Sequence, residues 1–326
     1  MRNRTIRQIG LLALALLFIS FPLVSISYAD EKFPHRPMNF YIPFPPGGSV
    51  DLSARPLAAA VSKILGQPII CVNKPGASGT LAPTTLKTMK PDGYNLSIGL
   101  MTLLYLPAMQ DVAFDPFKDF TYIGSTYTAL YGIVVRSDSP WKSFKDLIDY
   151  AKNNPGKIKY STSAFGGTFH LAMSEIALKE GIKWEIMPFQ GGRLSINALL
   201  GSHVQVTCDS AEWVPYVESG DLRLLVTLGV ERSKRFPNVP CLKELGYSGH
   251  VAPEGIIGPA GMPDEIVSRL GAAFKEALYD SEVQKVLKYL DKEVFYMNSS
   301  EYGSWMKESY GRYSELIKKI GLAKKQ

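Results

Sequence analysis

Two glycine-rich loops are the parts of this 326-residue sequence whose composition and spacing suit ligand binding. The first covers residues 43–51 (PFPPGGSVD) and the second residues 73–80 (NKPGASGT), and each follows a strand-like run and precedes a helix-like one. Backbone N–H groups at a helix start attract anions, and glycine lets a ligand approach the backbone closely. The pair of loops therefore predicts an anion site, although either loop alone could be an ordinary tight turn.

Two more glycine loops occur in the same strand-to-helix position in the middle of the chain. They cover residues 163–170 (SAFGGTFH) and 189–193 (FQGGR). If this part of the chain forms a second lobe, its loops face the first pair across a cleft. None of the four loops has the GxxxxGK[ST] or GxGxxG pattern of a nucleotide site, so the sequence predicts a different small anion.

Short β-rich runs alternate with amphipathic helical runs along the sequence. This alternation predicts an α/β fold with largely parallel sheets, whose ligands bind at the carboxyl ends of the strands. Pro56 falls inside the first helical run, so that helix is expected to start late or to kink. The expected strands are residues 38–43, 69–73, 96–99, 158–161, 184–188, 204–208 and 222–227.

The N-terminus has the pattern of a secretory signal peptide. Arg2, Arg4 and Arg7 precede the apolar run 9–19, and small residues at positions 27 and 29 predict cleavage after Ala29. The alternative is an uncleaved membrane anchor, but the apolar run is short for a span of about 20 residues. Since no cysteine lies near the cleavage point, the expected product is a free periplasmic protein rather than a lipoprotein.

Charge and cysteine content exclude several classes of protein. The formal net charge is +6, and it falls to +3 when the three arginines of the signal segment are removed. That charge is too small to indicate nucleic-acid binding. Cys71, Cys208 and Cys241 are odd in number and widely spaced, so they predict structural thiols and neither a disulfide framework nor a metal site. No cofactor is expected.

Catalytic motifs are absent from the sequence. It has four histidines but no GxSxG elbow, no HExxH and no Cys–His signature. The interpretation is a binding protein that is not an enzyme, with a secreted hydrolase as the remote alternative.

The order and spacing of short motifs resemble the Bug-type solute-binding receptors of tripartite tricarboxylate transporters over nearly the whole mature chain. The motifs are Pro43-Phe44 with Gly47-Gly48-Ser49 and Asp51, Ala54-Arg55, Leu65-Gly66-Gln67-Pro68, Asn73-Lys74-Pro75-Gly76-Ala77 with Gly79, Pro91-Asp92-Gly93-Tyr94, Asp115-Pro116 with Lys118-Asp119-Phe120, Thr168 with His170-Leu171-Ala172, Leu222-Arg223, Pro237 with Val239-Pro240, and Gly258-Pro259-Ala260-Gly261 with Pro263.

The resemblance implies a type II periplasmic-binding fold, a Venus flytrap of two α/β lobes. The implied ligand is a small organic carboxylate or dicarboxylate, which a monomeric receptor passes transiently to membrane transporter subunits. A receptor that presents the ligand to a sensor kinase remains the alternative. The implied segments are a signal peptide at 1–29, lobe 1 at 30–127 plus 229–290, lobe 2 at 128–228, and a C-terminal strand and helix at 291–326.

Carried onto this sequence, the family's binding loops give a set of candidate ligand-binding residues. They are Phe44, Pro46, Gly47, Gly48, Ser49, Val50, Asp51, Ala77, Ser78, Gly79, Gly166, Gly167, Thr168, His170, Phe189, Gln190, Gly191 and Asp209. Three features depart from the family pattern and leave the ligand's identity open. They are Ser78 in the second loop, Phe189-Gln190 in the fourth, and Glu254 where an aromatic residue is usual.

Several candidates also have a purely structural interpretation. Asp51 is expected to pair with Arg55 one helical turn later, and Ser49 is expected to be an N-cap that could also contact ligand. For His170 the alternatives are a ligand contact and a satisfied histidine near a helix start. For Arg193 they are a clamp on a distal carboxylate and a solvated helix start.

Overall fold

The computed structural model describes residues 32–324. Six strands form a first mixed sheet in the order β11-β4-β10-β3-β1-β2. β1 is parallel to β2 and β3, whereas β10 is antiparallel to both β3 and β4, and β11 is antiparallel to β4. These strands are β1 (Met38–Ile42), β2 (Ile69–Asn73), β3 (Asn95–Gly99), β4 (Phe120–Ala129), β10 (Glu254–Pro259) and β11 (Lys292–Val294).

Five strands form a second mixed sheet in the order β7-β6-β8-β5-β9. β6 is parallel to β7 and β8, and β5 is antiparallel to β8 and β9. The expectation of largely parallel sheets was therefore wrong. β5 enters the second sheet from the first, β10 returns to the first from the second, and each is antiparallel to both of its neighbours. The strands are β5 (Tyr131–Arg136), β6 (Lys159–Thr162), β7 (Glu185–Pro188), β8 (Val206–Ser210) and β9 (Leu222–Thr227).

Helices follow most of the strands, as the βα alternation predicts. The chain passes from the first sheet to the second at Leu130 and returns after Thr227. The helices are α1 (Ser49–Leu65), α2 (Leu81–Leu86), α3 (Thr102–Met109), α4 (Phe144–Asn153), α5 (Thr168–Glu180), α6 (Gly192–Leu200), α7 (Val214–Glu218), α8 (Asp264–Ala277), α9 (Ser281–Tyr289) and α10 (Ser299–Lys319).

Helix α1 positions the first glycine loop. It buries Leu57 and Val61 and ends at Gly66, whose left-handed conformation (φ 71°) closes the last turn. Pro56 lies inside the helix, which nevertheless begins at Ser49, so the helix does not start late. The missing N–H of Pro56 leaves the carbonyl of Leu52 without its usual helical donor.

The buried faces of both sheets are largely apolar, and the aromatic residues Tyr127 and Trp213 are almost completely buried. All three cysteines are free thiols; Cys208 and Cys241 are buried and Cys71 is half-buried. Within residues 32–324, no helix is both long and apolar enough to cross a membrane. The expected signal peptide and its cleavage point lie outside the described residues.

Strand β10 packs tightly under α10, and this contact gives a first prediction. A Cβ atom at Gly255 would lie 2.3 Å from ring atoms of Tyr302, which is fully buried. We expect Gly255→Ala to lower the free energy of unfolding by about 1–3 kcal/mol, the usual result of overpacking a core. Urea denaturation measures this change, with Gly303→Ala as the control because a Cβ there meets no atom within 4 Å. Equal stability of the two variants would contradict the prediction.

Candidate functional site

The glycine loops surround a cleft with two connected chambers. The chamber lined by exposed residues such as Arg193 and Leu194 is called the outer chamber, and it has a volume of about 310 Å³. The chamber lined by buried residues such as Thr102 and Glu254 is called the inner chamber, and it has a volume of about 90 Å³. Phe44, Ser49 and Val50 from the first loop, Ser163 from the third loop and Ser210 from the end of β8 line both chambers. The outer chamber is also lined by Pro45, Pro46, Gly48, Gln190, Gly191, Gly192, Arg193, Leu194, Asn197 and Glu212, and the inner one by Leu100, Met101, Thr102, Ala129, Tyr131, Ala164, Gly167, Thr168, Phe169, Ala252, Pro253 and Glu254.

Three helices begin at this cleft. The residues before α1, α5 and α6 are Gly48, Gly167 and Gly191, and none of the three helices has a side-chain cap. Each helix therefore presents first-turn N–H groups and the positive end of its dipole to the chambers. Each helix start therefore contributes partial positive charge to the cleft without a basic side chain.

Asp51 stabilises the conformation of the first loop through hydrogen bonds. Its buried carboxylate accepts hydrogen bonds from the backbone N–H of Gly47 (2.9 Å) and from Asn73 Nδ2 (2.8 Å), and it pairs with Arg55 (2.8 Å). Burial by itself raises the pKa of Asp51, but the hydrogen bonds from Arg55, Gly47 and Asn73 outweigh it and lower the pKa. The expected Asp51–Arg55 pair is confirmed, and Asp51 is not among the residues that line the chambers.

Ser49 is the first residue of α1 and not its N-cap, so the N-cap interpretation was wrong; Gly48 takes that position. The N–H of Ser49 donates to Oε1 of Glu212 at 2.9 Å, and Glu212 Oε2 accepts from Ser210 Oγ at 2.6 Å. A Cβ at Gly192 would lie 2.7 Å from Glu212 Oε2. The Glu212 carboxylate therefore lies between the starts of α1 and α6 and joins the two halves of the cleft.

The second loop lies next to the side chain of Phe44. Ala77, Ser78 and Gly79 have φ angles of 47°, 54° and 84°, so they form a left-handed turn, in which the N–H of Gly79 donates to the carbonyl of Gly76 at 2.9 Å. None of the three lines a chamber, but a Cβ at Gly79 would lie 3.2 Å from Leu100 and 3.4 Å from Phe44, which do. The loop therefore determines the position of part of the cleft wall.

The third loop brings Gly167 and Thr168 to the inner chamber, while Gly166 and His170 lie behind it. The N–H of Gly166 donates to His170 Nδ1 at 3.1 Å. Burial lowers the pKa of His170 to about 4, so the imidazole is neutral at neutral pH. This geometry matches the structural interpretation, in which the histidine is satisfied near a helix start.

The fourth loop contributes Gln190 and Gly191 to the outer chamber, whereas Phe189 packs against a hydrophobic cluster of the second sheet. Arg193 is exposed and lines the outer chamber. Within the described part of the chain, its guanidinium forms neither a hydrogen bond nor an ion pair. It is therefore a cation that is available at the cleft entrance.

Asp209 is fully buried at the end of β8, beside the chambers rather than in their walls. Its Oδ1 accepts from the N–H of Ser210 at 2.9 Å, and Oδ2 has no partner among residues 32–324. Burial, with the charge of Glu212 as a smaller cause, raises the pKa of Asp209 to about 8. This carboxyl is therefore protonated at neutral pH.

Glu254, in the inner chamber wall, belongs to a buried ion pair. Lys292 Nζ donates to Glu254 Oε1 (2.5 Å) and to Ser53 Oγ (2.8 Å), and it lies 4.6 Å from the centre of the Tyr127 ring. Burial raises the pKa of Glu254, and the charge of Lys292 opposes this effect. The departure at position 254 is visible in the sequence, but nothing there indicates that Lys292 is its partner.

Glu212 was also missed by sequence reasoning. It follows the carboxyl end of β8, where ligand-contacting residues of α/β sheets occur, and that position is the signal that could have identified it. Leu100 and Thr102 follow β3 in the same way, and Ser210 is the last residue of β8, but neither segment has the two glycines that mark each of the four loops.

Comparison with known proteins agrees with this architecture. Residues 53–322 match the model of the tripartite tricarboxylate transporter family receptor. A UPF0065 protein in the gbd 5′ region of Cupriavidus necator is 43% identical over 297 residues, which are 91% of each chain.

Two solved structures extend the comparison. The periplasmic binding protein BugD is 28% identical with a TM-score of 0.84, covering 90% of this chain and 100% of its own. R. palustris Rpa4515 with adipate is 26% identical with a TM-score of 0.83, covering 89% of this chain and 99% of its own. The chain therefore belongs to the receptor family of the tripartite tricarboxylate transporters, a family of Bug-type solute-binding proteins with a two-lobed α/β fold.

Proposed function

We propose that this protein is an extracytoplasmic solute-binding protein that captures a small organic carboxylate in the cleft and delivers it to a tripartite tricarboxylate-type transporter. The observation that carries the proposal is the convergence on the chambers of the starts of α1, α5 and α6, each preceded by a glycine that provides no side-chain cap. A carboxylate there gains charge-assisted hydrogen bonds from backbone N–H groups. The adipate recorded with Rpa4515 supports this ligand class.

The proposed binding residues fall into two groups. Phe44, Pro46, Gly48, Ser49, Val50, Gly167, Thr168, Gln190 and Gly191 contact the ligand directly, because they line the chambers. Gly47, Asp51, Ala77, Ser78, Gly79, Gly166, His170, Phe189 and Asp209 keep those residues in position. We include Glu212, Arg193 and Glu254 among the contacts for the same geometric reason.

Binding without chemistry is part of the proposal. His170, a histidine beside the cleft, accepts a hydrogen bond from the N–H of Gly166, and burial lowers its pKa to about 4, so it is neutral at neutral pH. The same proposal places the protein in the periplasm as a monomer, after removal of residues 1–29. It assigns lobe 1 to residues 30–127 and 229–290, lobe 2 to residues 128–228, and residues 291–326 to a strand and helix that pack across them.

Gly79→Val tests the role of the second loop. Gly79 has a φ of 84°, and a side chain there would displace Phe44 and Leu100 in the cleft wall. We expect the affinity for the best carboxylate of a thermal-shift panel to fall more than tenfold, measured by calorimetry.

Gly66→Val is the matched control. Gly66 has a similar φ of 71°, but a Cβ there meets nothing within 4 Å and the residue lies at the far end of α1. It should bear the same backbone strain, about 1–2 kcal/mol, and retain the wild-type affinity. Equal affinities of the two variants would show that the second loop does not shape the site, and stabilisation of the wild type by neutral sugars alone would contradict carboxylate binding.

A further inference from the structure

We propose that the cleft selects a ligand with one carboxylate and, at its other end, an uncharged hydrogen-bond donor such as an amide or a hydroxyl group, which Glu254 receives in the inner chamber. This inference rests on the proposed function and narrows its ligand class. It follows from the distribution of charge and of unsatisfied polar atoms along the cleft.

The charged side chains of the chamber walls are few. Among the described residues, Arg193 and Glu212 line the outer chamber and Glu254 lines the inner one. Lys292 is a poor counter-ion for a ligand, because its Nζ already donates to Glu254, to Ser53 Oγ and to the carbonyl of Ser49 at 3.3 Å. The outer chamber therefore offers one available cation, Arg193, to a single carboxylate of the ligand. The inner chamber offers the acidic side chain of Glu254 and, among the described residues, no available cation.

The outer chamber is the place for the ligand's carboxylate. The starts of α1 and α6 meet there beside Arg193, although the N–H of Ser49 is engaged by Glu212. Within residues 32–324, the N–H groups of Gly48 and Val50 have no acceptor. They can bind a carboxylate without breaking an existing hydrogen bond.

Two residues in the wall of the inner chamber each have a buried polar atom without a partner. Glu254 is 7% exposed and Thr102 is 5% exposed, and both line this chamber. Glu254 Oε2 and Thr102 Oγ1 have no hydrogen-bond partner in the described chain. An unsatisfied buried polar atom is costly, and most of all on an ionised carboxylate.

A ligand group that donates to Glu254 Oε2 and exchanges a hydrogen bond with Thr102 satisfies both atoms. Amides and hydroxyl groups can donate and accept. A methyl group can do neither, and a second carboxylate would put two negative charges side by side in a buried space. The Lys292 ammonium group at Oε1 favours the ionised form of Glu254, so the unpartnered Oε2 acts as an acceptor.

Four linear four-carbon acids that differ at one end test the proposal by calorimetry at pH 7.5. Succinamate ends in an amide, 4-hydroxybutyrate in a hydroxyl group, butyrate in a methyl group and succinate in a second carboxylate. We expect the tighter of the first two to bind at least tenfold more strongly than either butyrate or succinate. Equal affinities, or tightest binding by succinate or butyrate, would overturn the selectivity while leaving carboxylate binding intact. If none of the four binds, and no carboxylate of a wider panel does, the proposed function fails as well.

The double variant Glu254→Gln/Lys292→Met tests the residue assigned to the inner end, and it avoids leaving Lys292 unpaired. The Gln side chain can donate to a carboxylate, so the succinamate-to-succinate affinity ratio should fall at least tenfold. Glu218→Gln is the control, because Glu218 forms an exposed pair with Arg235 outside the chambers and should leave the ratio unchanged. An unchanged ratio in the double variant would show that Glu254 does not determine the preference.

Discussion

Asp209→Asn should stabilise the protein strongly at pH 9 and much less at pH 5. The wild-type carboxyl is fully buried, and its pKa is raised to about 8, mainly by burial and then by the charge of Glu212. In the unfolded chain the pKa of an aspartate is about 3.9. Between these values the folded state holds a proton that the unfolded state has lost, so the stability of the wild type falls as pH rises from about 4 to about 8.

The expected magnitude follows from the size of the pKa shift. A difference of about 4 pKa units corresponds to roughly 5 kcal/mol at pH values above both pKa values. Asparagine stays neutral and keeps the volume of the side chain, so the variant does not incur this penalty. Urea denaturation at pH 5, 7 and 9 should show a stability difference between variant and wild type that grows by about 4 kcal/mol across the range.

Asp138→Asn is the control for this series. Asp138 is exposed and its pKa is lowered by the hydrogen bond with Arg136, so its substitution should not stabilise the protein increasingly as the pH rises. A difference between Asp209→Asn and the wild type that stays constant from pH 5 to pH 9 would mean that Asp209 is ionised throughout.

Lys292→Met should destabilise the protein by about 3–5 kcal/mol, because it leaves the carboxylate of Glu254 buried without a counter-ion. Lys292 is 5% exposed, and its ammonium group also holds the first turn of α1 through Ser49 and Ser53. Replacing both partners, as in Glu254→Gln/Lys292→Met, removes the uncompensated charge, and we expect most of the lost stability to return. Free energies of unfolding from urea titration at pH 7 provide the comparison.

An exposed pair provides the control for this experiment. Lys234 and Glu293 are 3.2 Å apart with side chains 90% and 71% exposed, and a pair of this kind contributes about 0–1 kcal/mol. Lys234→Met should therefore change the stability little. If the Lys292→Met single variant and the double variant were equally stable, the buried charge on Glu254 would not be the cause of the loss.

Local sequence signals predicted much of the fold. The βα alternation predicted the helical run that contains Pro56, the glycine loops marked the turns between strands and helices, and the family resemblance implied the C-terminal helix α10. These features depend on residues that are near each other in the sequence, such as the Asn298–Glu301 capping box. The order of the strands could not be obtained in this way, because β10 pairs with strands far away in sequence.

The same limit applies to the candidate site. The glycine loops could be found because helix starts and turns are local, but the partners of their polar groups are not. Glu212 reaches Ser49 from the other sheet, and Lys292 reaches Glu254 from a strand near the C-terminus. Sequence spacing gave no sign of either contact, and both place charge where the loops alone suggested only backbone N–H groups.

The position of β10 has a consequence for the order in which the protein can fold. The second sheet uses only strands from 131–227, so all of its strands are synthesised before Glu254–Pro259. Until then, β3 and β4 lack the strand that lies between them, and pairing over such sequence separations is slow. A chain interrupted before Glu254 would carry one complete sheet and one with two open interior edges, a form prone to pair with a second copy of itself.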